Sequence, residues 1–521
     1  MRDTRPHIVM IASENDALRG GKVGGVGDVL RDLPRALAAL GLRITVIVPS
    51  YGFLHLENSC TARGAVSFPF AGSVAEAEIW EAVPKEPLDG VTHLIFHHPA
   101  IVGEPIYCND PPREAFARDA AKYALFCAAA GIWCRTVEGE YMLHLHDWHT
   151  GILFLLRELH PAFAHLKEVR TSYTIHNLAI QGTRPMEGTG STVEQWFPEL
   201  FAERSWIASW RDPRYEEVCF TPMASAIRRA GRVNTVSPGY AGEILTPSDH
   251  ARGFYGGEGL EDLLRDADRS GRLSGILNGT EYPDTGARPA PAFDEVCNLM
   301  ESELDRWNGQ RNDALHGAMR ARIAGLRGRP PRVLLTSVTR VVEQKIRILL
   351  EPGSCGLPAL GEINALLERW GGLYIIQGSG TAEYEESLER AARTSDRILF
   401  LKGFSEPVAR ALFAAGNLFL MPSSFEPCGI GQMVAMRERQ PCVVHAVGGL
   451  KDTVLDGVTG FTFSAASLAG QSDQFVAAVE RALNTFFNDP PRWEAIRASA
   501  GAARFTWDKA AREYLERVYA Q

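Results

Sequence analysis

The stretch HIVMIASENDALRGGKVGGVGDVLRDLPRALAALGLRITVIVPSY, residues 7–51, decides the fold. It opens with a short apolar run, 7–14, of the kind that fills a buried parallel strand. A glycine-rich loop (19–27), an amphipathic stretch (29–40) and a second apolar run (43–51) follow. Strand, glycine loop, helix, strand is the order of a doubly wound α/β unit. MLHLHDW (142–148), TSYTIHN (171–177) and RVNTVSP (232–238) are further buried runs that end in polar residues. Ligands of such sheets sit beyond the carboxyl ends of the strands, so chemistry is expected at those polar ends.

The pattern restarts downstream. PRVLLTSVTR (331–340), LYIIQGSG (373–380), RILFLKGF (397–404), LFLMPSS (418–424) and PCVVHAVGG (441–449) are five more strand-like runs separated by helical stretches. The fold class expected is therefore α/β, with two Rossmann-like domains facing each other across a cleft. The Gly- and Pro-rich SGILNGTEYPDTGARPAPAF (274–293) places the division near 265–285. This predicts domains at 1–270 and 271–500, followed by a terminal amphipathic helix in 501–521.

Composition narrows the function. The 521 residues carry 54 Lys and Arg against 63 Asp and Glu, a net charge of −9. That balance argues against a nucleic-acid or anionic-membrane partner, both of which need a basic surface. Nine cysteines without a CxxC pair fit a reducing cytoplasm better than a disulfide framework or a zinc cluster. The longest apolar stretch, near 123–134, is shorter than the roughly 20 residues of a membrane span.

Several motifs have residue types suited to a nucleotide-sugar. GGKVGGVGD (20–28) precedes a helix; its glycines allow close backbone approach to a phosphate, and Lys22 adds a cation. A plain tight turn is the alternative, and without a GK[ST] ending it is no P-loop. HLHDWHTG (144–151) gathers three histidines, an aspartate and a tryptophan. His144 and His146 face one side of a strand and Asp147 the other, which favours a sugar over zinc. TIHNLAIQG (174–182) ends a strand in His176 and Asn177. Arg340 and Lys345 in SVTRVVEQK (337–345) can bracket a diphosphate or simply begin a solvated helix. FEPCGIGQ (425–432) sets Glu426 before a turn at a helix N-terminus, where a carboxylate can bond sugar hydroxyls and free amides can meet phosphate.

With these motifs in order, the chain resembles bacterial glycogen synthases and plant starch synthases, retaining glucosyltransferases of the GT-B fold. The likeness runs from KVGGVGDVLRDLP (22–34) through HDWHTG, TIHNLAIQG, NTVSPGYAGEI (234–244) and LNGTEYP (277–283) to FEPCGIGQM and GGLKDTVLDGVTGF (448–461). It extends to FTWDKAAREYL (505–515), similar to a terminal helix that crosses back to the first domain. The resemblance implies transfer of glucose from ADP-glucose, or UDP-glucose as the alternative donor, to the non-reducing end of an α-1,4-glucan acceptor. It implies catalytic roles for Arg340, Lys345, Glu426, His176 and Asp147. Donor contacts would come from Lys22, Gly24, Gly25, Asn278, Gly378, Phe404, Cys428, Gly429 and Ile430, and acceptor contacts from Asp28, Trp148 and Asn177. No metal and no cofactor are implied, because the two cations neutralise the leaving diphosphate.

Departures from the family pattern fall at Val23, Phe404, Ile430, Gly431 and His445, and at Ile346, where the family has a glycine after the lysine. They keep two other readings in view: a glucan-binding paralogue with little turnover, and a glucosyltransferase with another donor or acceptor.

Overall fold

In the computed structural model, residues 5–102, 105–108, 110, 114–188, 190–282, 290–311 and 313–520 are described. Part of the predicted division between domains, 283–289, lies outside them.

The first sheet contains β1 (His7–Ile11), β2 (Arg43–Pro49), β3 (Cys60–Phe70), β4 (Ser73–Ala82), β5 (Val91–His97), β6 (Tyr141–His146) and β7 (Arg170–Ile175). A two-residue ribbon, β8 (Arg184–Pro185) with β9 (Cys219–Phe220), stands apart, and β10 (Arg232–Thr235) and β11 (Leu273–Gly275) complete the sheet. The strand order is β11-β10-β7-β6-β1-β2-β5-β4-β3. All pairings from β11 to β5 are parallel; β4 and β3 are added antiparallel at one edge.

Two points differ from the sequence reading. The edge hairpin β3–β4 was not anticipated, because its strands face water over most of their length and read as SVAEAEIWEA rather than as an apolar run. Strand β11 pairs with β10, so a division after residue 270 would cut a strand from its own sheet.

The second sheet has six strands, all parallel: β12 (Val333–Val338), β13 (Gly372–Gly378), β14 (Ile398–Lys402), β15 (Leu418–Met421), β16 (Cys442–His445) and β17 (Gly460–Phe463). Their order is β14-β13-β12-β15-β16-β17. The five predicted runs are present, and β17 adds a sixth that is only four residues long.

Near-continuous burial of β1, β2, β12 and β13 follows from helices on both faces. The helix Gly25–Ala39 lies on one face of the first sheet through Val29, Leu30, Leu33 and Leu37, all fully buried. The apolar stretch near 123–134 is the buried helix Ala117–Trp133 of the same domain. Among the described residues no helix is long and apolar enough to cross a membrane.

The helix Trp507–Arg517 packs Trp507, Ala510, Ala511 and Tyr514 into the core formed by β1 and the helix Gly25–Ala39. Tyr514 Oη accepts from Asn234 Nδ2 at 2.9 Å, and Tyr519 Oη meets His144 Nδ1 at 2.7 Å. Complete burial of a side chain such as Tyr514 contributes about 2 kcal/mol through its apolar ring. The end of the chain thus ties the first sheet to the helix Pro490–Ala502 of the second domain.

Candidate active site

Strand order locates the site. In the first sheet the chain moves outward from β1 to β2 and β5, then returns to place β6 on the other side of β1. In the second sheet it moves from β12 to β13 and β14, then returns to place β15 on the other side of β12. Each reversal opens a crevice at the carboxyl ends of the strands. The loops at the first crevice hold Glu14 to Gly25 and Asp147; those at the second hold Arg340, Lys345 and Glu426.

On the first side, Asp147 is buried and sits at φ +54°, in the left-handed region that favours glycine. Its Oδ1 accepts from the backbone N–H of His176 at 2.7 Å and of Asn177 at 3.4 Å. Those bonds hold the carboxyl where burial raises its pKa to about 7. His176 is 9% exposed, and its Nε2 lies 2.9 Å from His146 Nδ1. Burial lowers the pKa of His176 to about 3, so the ring is neutral. Asn177 turns back on the chain, its Oδ1 accepting from Ala179 N at 3.0 Å.

On the second side, Lys345 and Glu426 form a buried ion pair, and Ser423 Oγ donates to the same carboxylate oxygen at 3.1 Å. The loop bearing Glu426 is fixed at its backbone. Gln344 Nε2 donates to Phe425 O at 3.0 Å, and Ser424 N donates to Gln344 O at 2.8 Å. His445 Nδ1 meets Ser423 O at 3.0 Å. Arg340 is exposed; its carbonyl accepts from Thr339 Oγ1 at 3.3 Å, while its side chain makes no hydrogen bond or ion pair among the described residues. Its guanidinium is free for an anionic ligand.

The two sides meet directly. Ser237 caps the helix Pro238–Glu243 and donates from Oγ to Pro427 O at 2.5 Å. Tyr240 of that helix accepts from Leu178 N, two residues beyond His176, at 3.1 Å. Gly448 N donates to Glu243 at 2.8 Å, and Gly449 N to Glu426 O at 3.1 Å. The backbones of Glu426 and of the His176 loop are thereby linked through one short helix.

Several predicted residues have other occupations. The amides of Val23 and Gly24 donate to Glu14 Oε2 at 2.8 and 2.6 Å, so Glu14 fills the anion position that the loop was expected to offer a phosphate. The open side of this loop is at Gly25, where a Cβ would meet nothing within 4 Å. Glu14 was missed because it reads as the polar end of a strand; the signal available was an acid preceding a glycine cluster. Lys22 pairs with Asp28 at 2.6 Å, which accounts for both residues within the first domain.

Trp148 is a correction. It is 4% exposed, and its ring is covered by Gly182, Phe116, Tyr123 and His149, which leaves no face for a sugar. Gly378 ends β13, and a Cβ there would overlap the Thr339 carbonyl, so the position requires glycine. Cys428 is buried, with its thiol pushed up to about 12, and the Asn278 backbone hydrogen-bonds its sulfur. Asn278 Oδ1 is buried without a partner among the described residues. Gly429 takes φ +77° ahead of Ile430, which precedes the helix Gly431–Arg437. Phe404 is 62% exposed on the second domain and lines a cavity of about 590 Å³ together with Lys22, Asp16 and Arg31 of the first. His445, a departure from the family pattern, is a neutral packing residue stacked on Phe463, with ring centroids 5.0 Å apart.

Burial holds His144 and His176 at about 3, and His93 and His445 at about 4. In the unfolded chain each takes up a proton near 6.5. The stability of the neutral buried forms is therefore complete above pH 6.5 and is lost as pH falls toward 4. Asp147 has the opposite sign, since its folded carboxyl keeps a proton to about 7. Burial also raises the carboxyls of Asp28, Glu243 and Asp452 and lowers His146 and His149, so six histidines oppose four carboxyls and outweigh them. At pH 5 each histidine removes about 2 kcal/mol. Urea unfolding at pH 7.5 and 5.0 is expected to show a lower midpoint at pH 5.0; an equal or higher midpoint would refute this sign.

The model of the family described as "Starch synthase catalytic domain" matches residues 7–266, and that described as "Glycosyl transferases group 1" matches 360–485. A glycogen synthase of Anaeromyxobacter sp. (strain Fw109-5) is 34% identical, with 97% of this chain and 98% of the other covered. A glycogen synthase of Exiguobacterium sibiricum is 32% identical, with 95% of each chain covered. Among solved structures, the catalytic domain of starch synthase IV from Arabidopsis thaliana, bound to ADP and acarbose, superposes with a TM-score of 0.74. Its identity is 24%, with 98% of each chain covered. Sucrose-phosphate synthase from Thermosynechococcus elongatus shares the fold at a TM-score of 0.54 and 16% identity, also over 98% of each chain. The two facing α/β sheets are thus the GT-B fold, and the chain belongs to the glycogen synthase family of glycosyltransferases.

Proposed function

We propose that this member of the glycogen synthase family transfers glucose from ADP-glucose to the non-reducing 4-hydroxyl of an α-1,4-glucan, with retention of configuration. The observation that supports this reading best is the buried Lys345–Glu426 pair at one strand-order reversal, joined through the helix Pro238–Glu243 to the His176–Asp147 pair at the other. Arg340 and Lys345 would neutralise charge as it develops on the departing diphosphate; a well-placed donor to such charge is worth about 3 kcal/mol. Glu426 would hold glucose hydroxyls. As the sugar–phosphate bond breaks, the leaving phosphate oxygen takes the proton of the attacking 4-hydroxyl on the same face, so no carboxylate nucleophile is required. Phe404 would stack on the base, with Gly25, Asn278, Gly429 and Ile430 at the donor. Closure of the cleft would keep water from the donor. Cys127, Cys134, Cys219 and Cys442 are buried free thiols, in keeping with a cytoplasmic location.

The test is ADP or UDP release by purified protein with glycogen and either ADP-glucose or UDP-glucose, alongside a control without glycogen. Glycogen-dependent ADP release with growth of the α-1,4 chain is expected, and excess EDTA is expected to leave it unchanged. Release from UDP-glucose alone would reverse the donor assignment. Release from neither, with glycogen still bound, would establish the glucan-binding reading, which the filling of the glycine loop by Glu14 favours.

A further inference from the structure

His146 is fully buried, and no role in the transfer just proposed requires it to touch a ligand. Its Nδ1 lies 2.9 Å from His176 Nε2, with ring centroids 5.2 Å apart and planes inclined by 29°. His144 lies beside it, with centroids 4.1 Å apart. Both nitrogens of His144 are engaged, by Tyr519 Oη at 2.7 Å and Thr174 Oγ1 at 2.7 Å. His146 Nε2, by contrast, is sealed from solvent without a partner among the described residues. Asp147 adjoins this ladder in the chain, and its Oδ1 is turned to the backbone of His176.

A neutral imidazole has one N–H and one bare nitrogen. If the proton of His146 were on Nε2, a buried N–H donor would be orphaned. If it is on Nδ1, only a lone pair is left unpaired. Orphaned buried donors are the rarer of the two in folded proteins. The proton therefore belongs on His146 Nδ1, which donates to His176 Nε2. His176 must then keep its own proton on Nδ1. That atom makes no hydrogen bond to the described residues and is not among the sealed polar atoms.

We infer that His146 is a positioning residue that fixes the tautomer of His176, so that His176 presents an Nδ1–H donor to an oxygen of the bound sugar. The inference rests on the proposed glucosyl transfer only for the identity of that ligand. The hydrogen bond also holds the ring against rotation about its Cβ–Cγ bond, so the donor direction is set before substrate arrives.

The direct test is NMR of the full chain labelled with ¹³C and ¹⁵N in histidine, with the His176 resonance assigned by its loss in His176→Gln. The ¹³Cδ2 shift distinguishes the two neutral tautomers. The Nδ1–H form of His176 at pH 7.5 is expected; the Nε2–H form would overturn the inference, whether or not the protein transfers glucose. The functional arm compares His146→Leu with His146→Asn, whose amide can replace the Nδ1–H donor. His146→Leu is expected to lower kcat on the order of tenfold, with the KM for the donor changed by less than about threefold. His146→Asn is expected to restore most of the loss. Equal kcat in His146→Leu and the unsubstituted protein would overturn the positioning role. Should His146→Leu not fold, the tautomer measured in the unsubstituted protein decides. A protein that releases no nucleotide at all would count against the proposed transfer, not against the tautomer assignment.

Discussion

Glu426→Ala and Lys345→Ala are each expected to lower glucosyl transfer at least about 100-fold, equivalent to about 2.7 kcal/mol of lost transition-state stabilisation. The two side chains are 7% and 12% exposed and form one ion pair. Removing either leaves a buried charge without its partner, which destabilises as well as deactivates. The informative comparison is therefore Glu426→Gln, which keeps the shape and the hydrogen bond from Ser423 while discharging the carboxylate. If Glu426 holds sugar hydroxyls as an anion, folded Glu426→Gln loses turnover; because Lys345 is left without its counter-charge, the variant also loses stability, on the order of 3 kcal/mol, and kcat is compared at a temperature where it is fully folded. Near-normal kcat in a folded Glu426→Gln or Lys345→Ala protein would remove that residue from the chemistry. The expected effects are also non-additive: the double variant should lose little more than the worse single one, because the partners act as a unit.

Gly448→Ala is expected to be nearly as damaging, without touching any charged group. The turn before the helix Gly448–Thr453 lies against the backbone of Glu426. Gly448 has φ +43°, and a Cβ there would overlap the Glu426 carbonyl oxygen. Neither atom belongs to a flexible side chain, so the Glu426 loop must move or the turn must open. Strain in the left-handed region and the overlap together should destabilise the protein by about 3 kcal/mol. Displacement of the Glu426 loop should lower kcat about 100-fold, since a shift near 1 Å is enough for that. Gly457→Ala separates the two causes. Gly457 also has positive φ, +68°, but a Cβ there would meet only the end of the Arg492 side chain, at 3.4 Å. That variant should lose stability and keep its turnover. Equal kcat losses in the two variants would show that backbone conformation, not contact with Glu426, is responsible.

The legible part of the fold was the part in which strands are buried on both faces. HIVMI, RITVIVP and LYIIQG are apolar without interruption because helices cover them on both sides, and that pattern has no competing reading once a glycine loop and an amphipathic helix follow. The edge hairpin β3–β4 was not legible, since its exposed residues alternate and include charges. The candidate site was legible to a similar degree. Residues at strand ends, such as Asp147, His176 and Glu426, could be named from their positions after apolar runs. Their partners could not. Glu14 precedes Gly24 by ten residues and fills its amide; Lys345 precedes Glu426 by 81. Trp148 was misread because a tryptophan beside an acid looks the same in sequence whether its ring faces a cleft or a glycine such as Gly182.

By itself, the sequence determined the fold class, the order of the two α/β units and the family, because each depends on local periodicity and on motifs contiguous in the chain. The tertiary structure alone decided which loops meet, which amides remain open and which rings are covered. Those properties arise where strand order reverses and segments hundreds of residues apart come into van der Waals contact. A hydrogen bond across the cleft, such as Ser237 to Pro427 over 190 residues, has no local signature. The chemistry expected of Arg340, Lys345 and Glu426 depends on such contacts, because a buried charge is defined by its neighbours rather than by its own residue type.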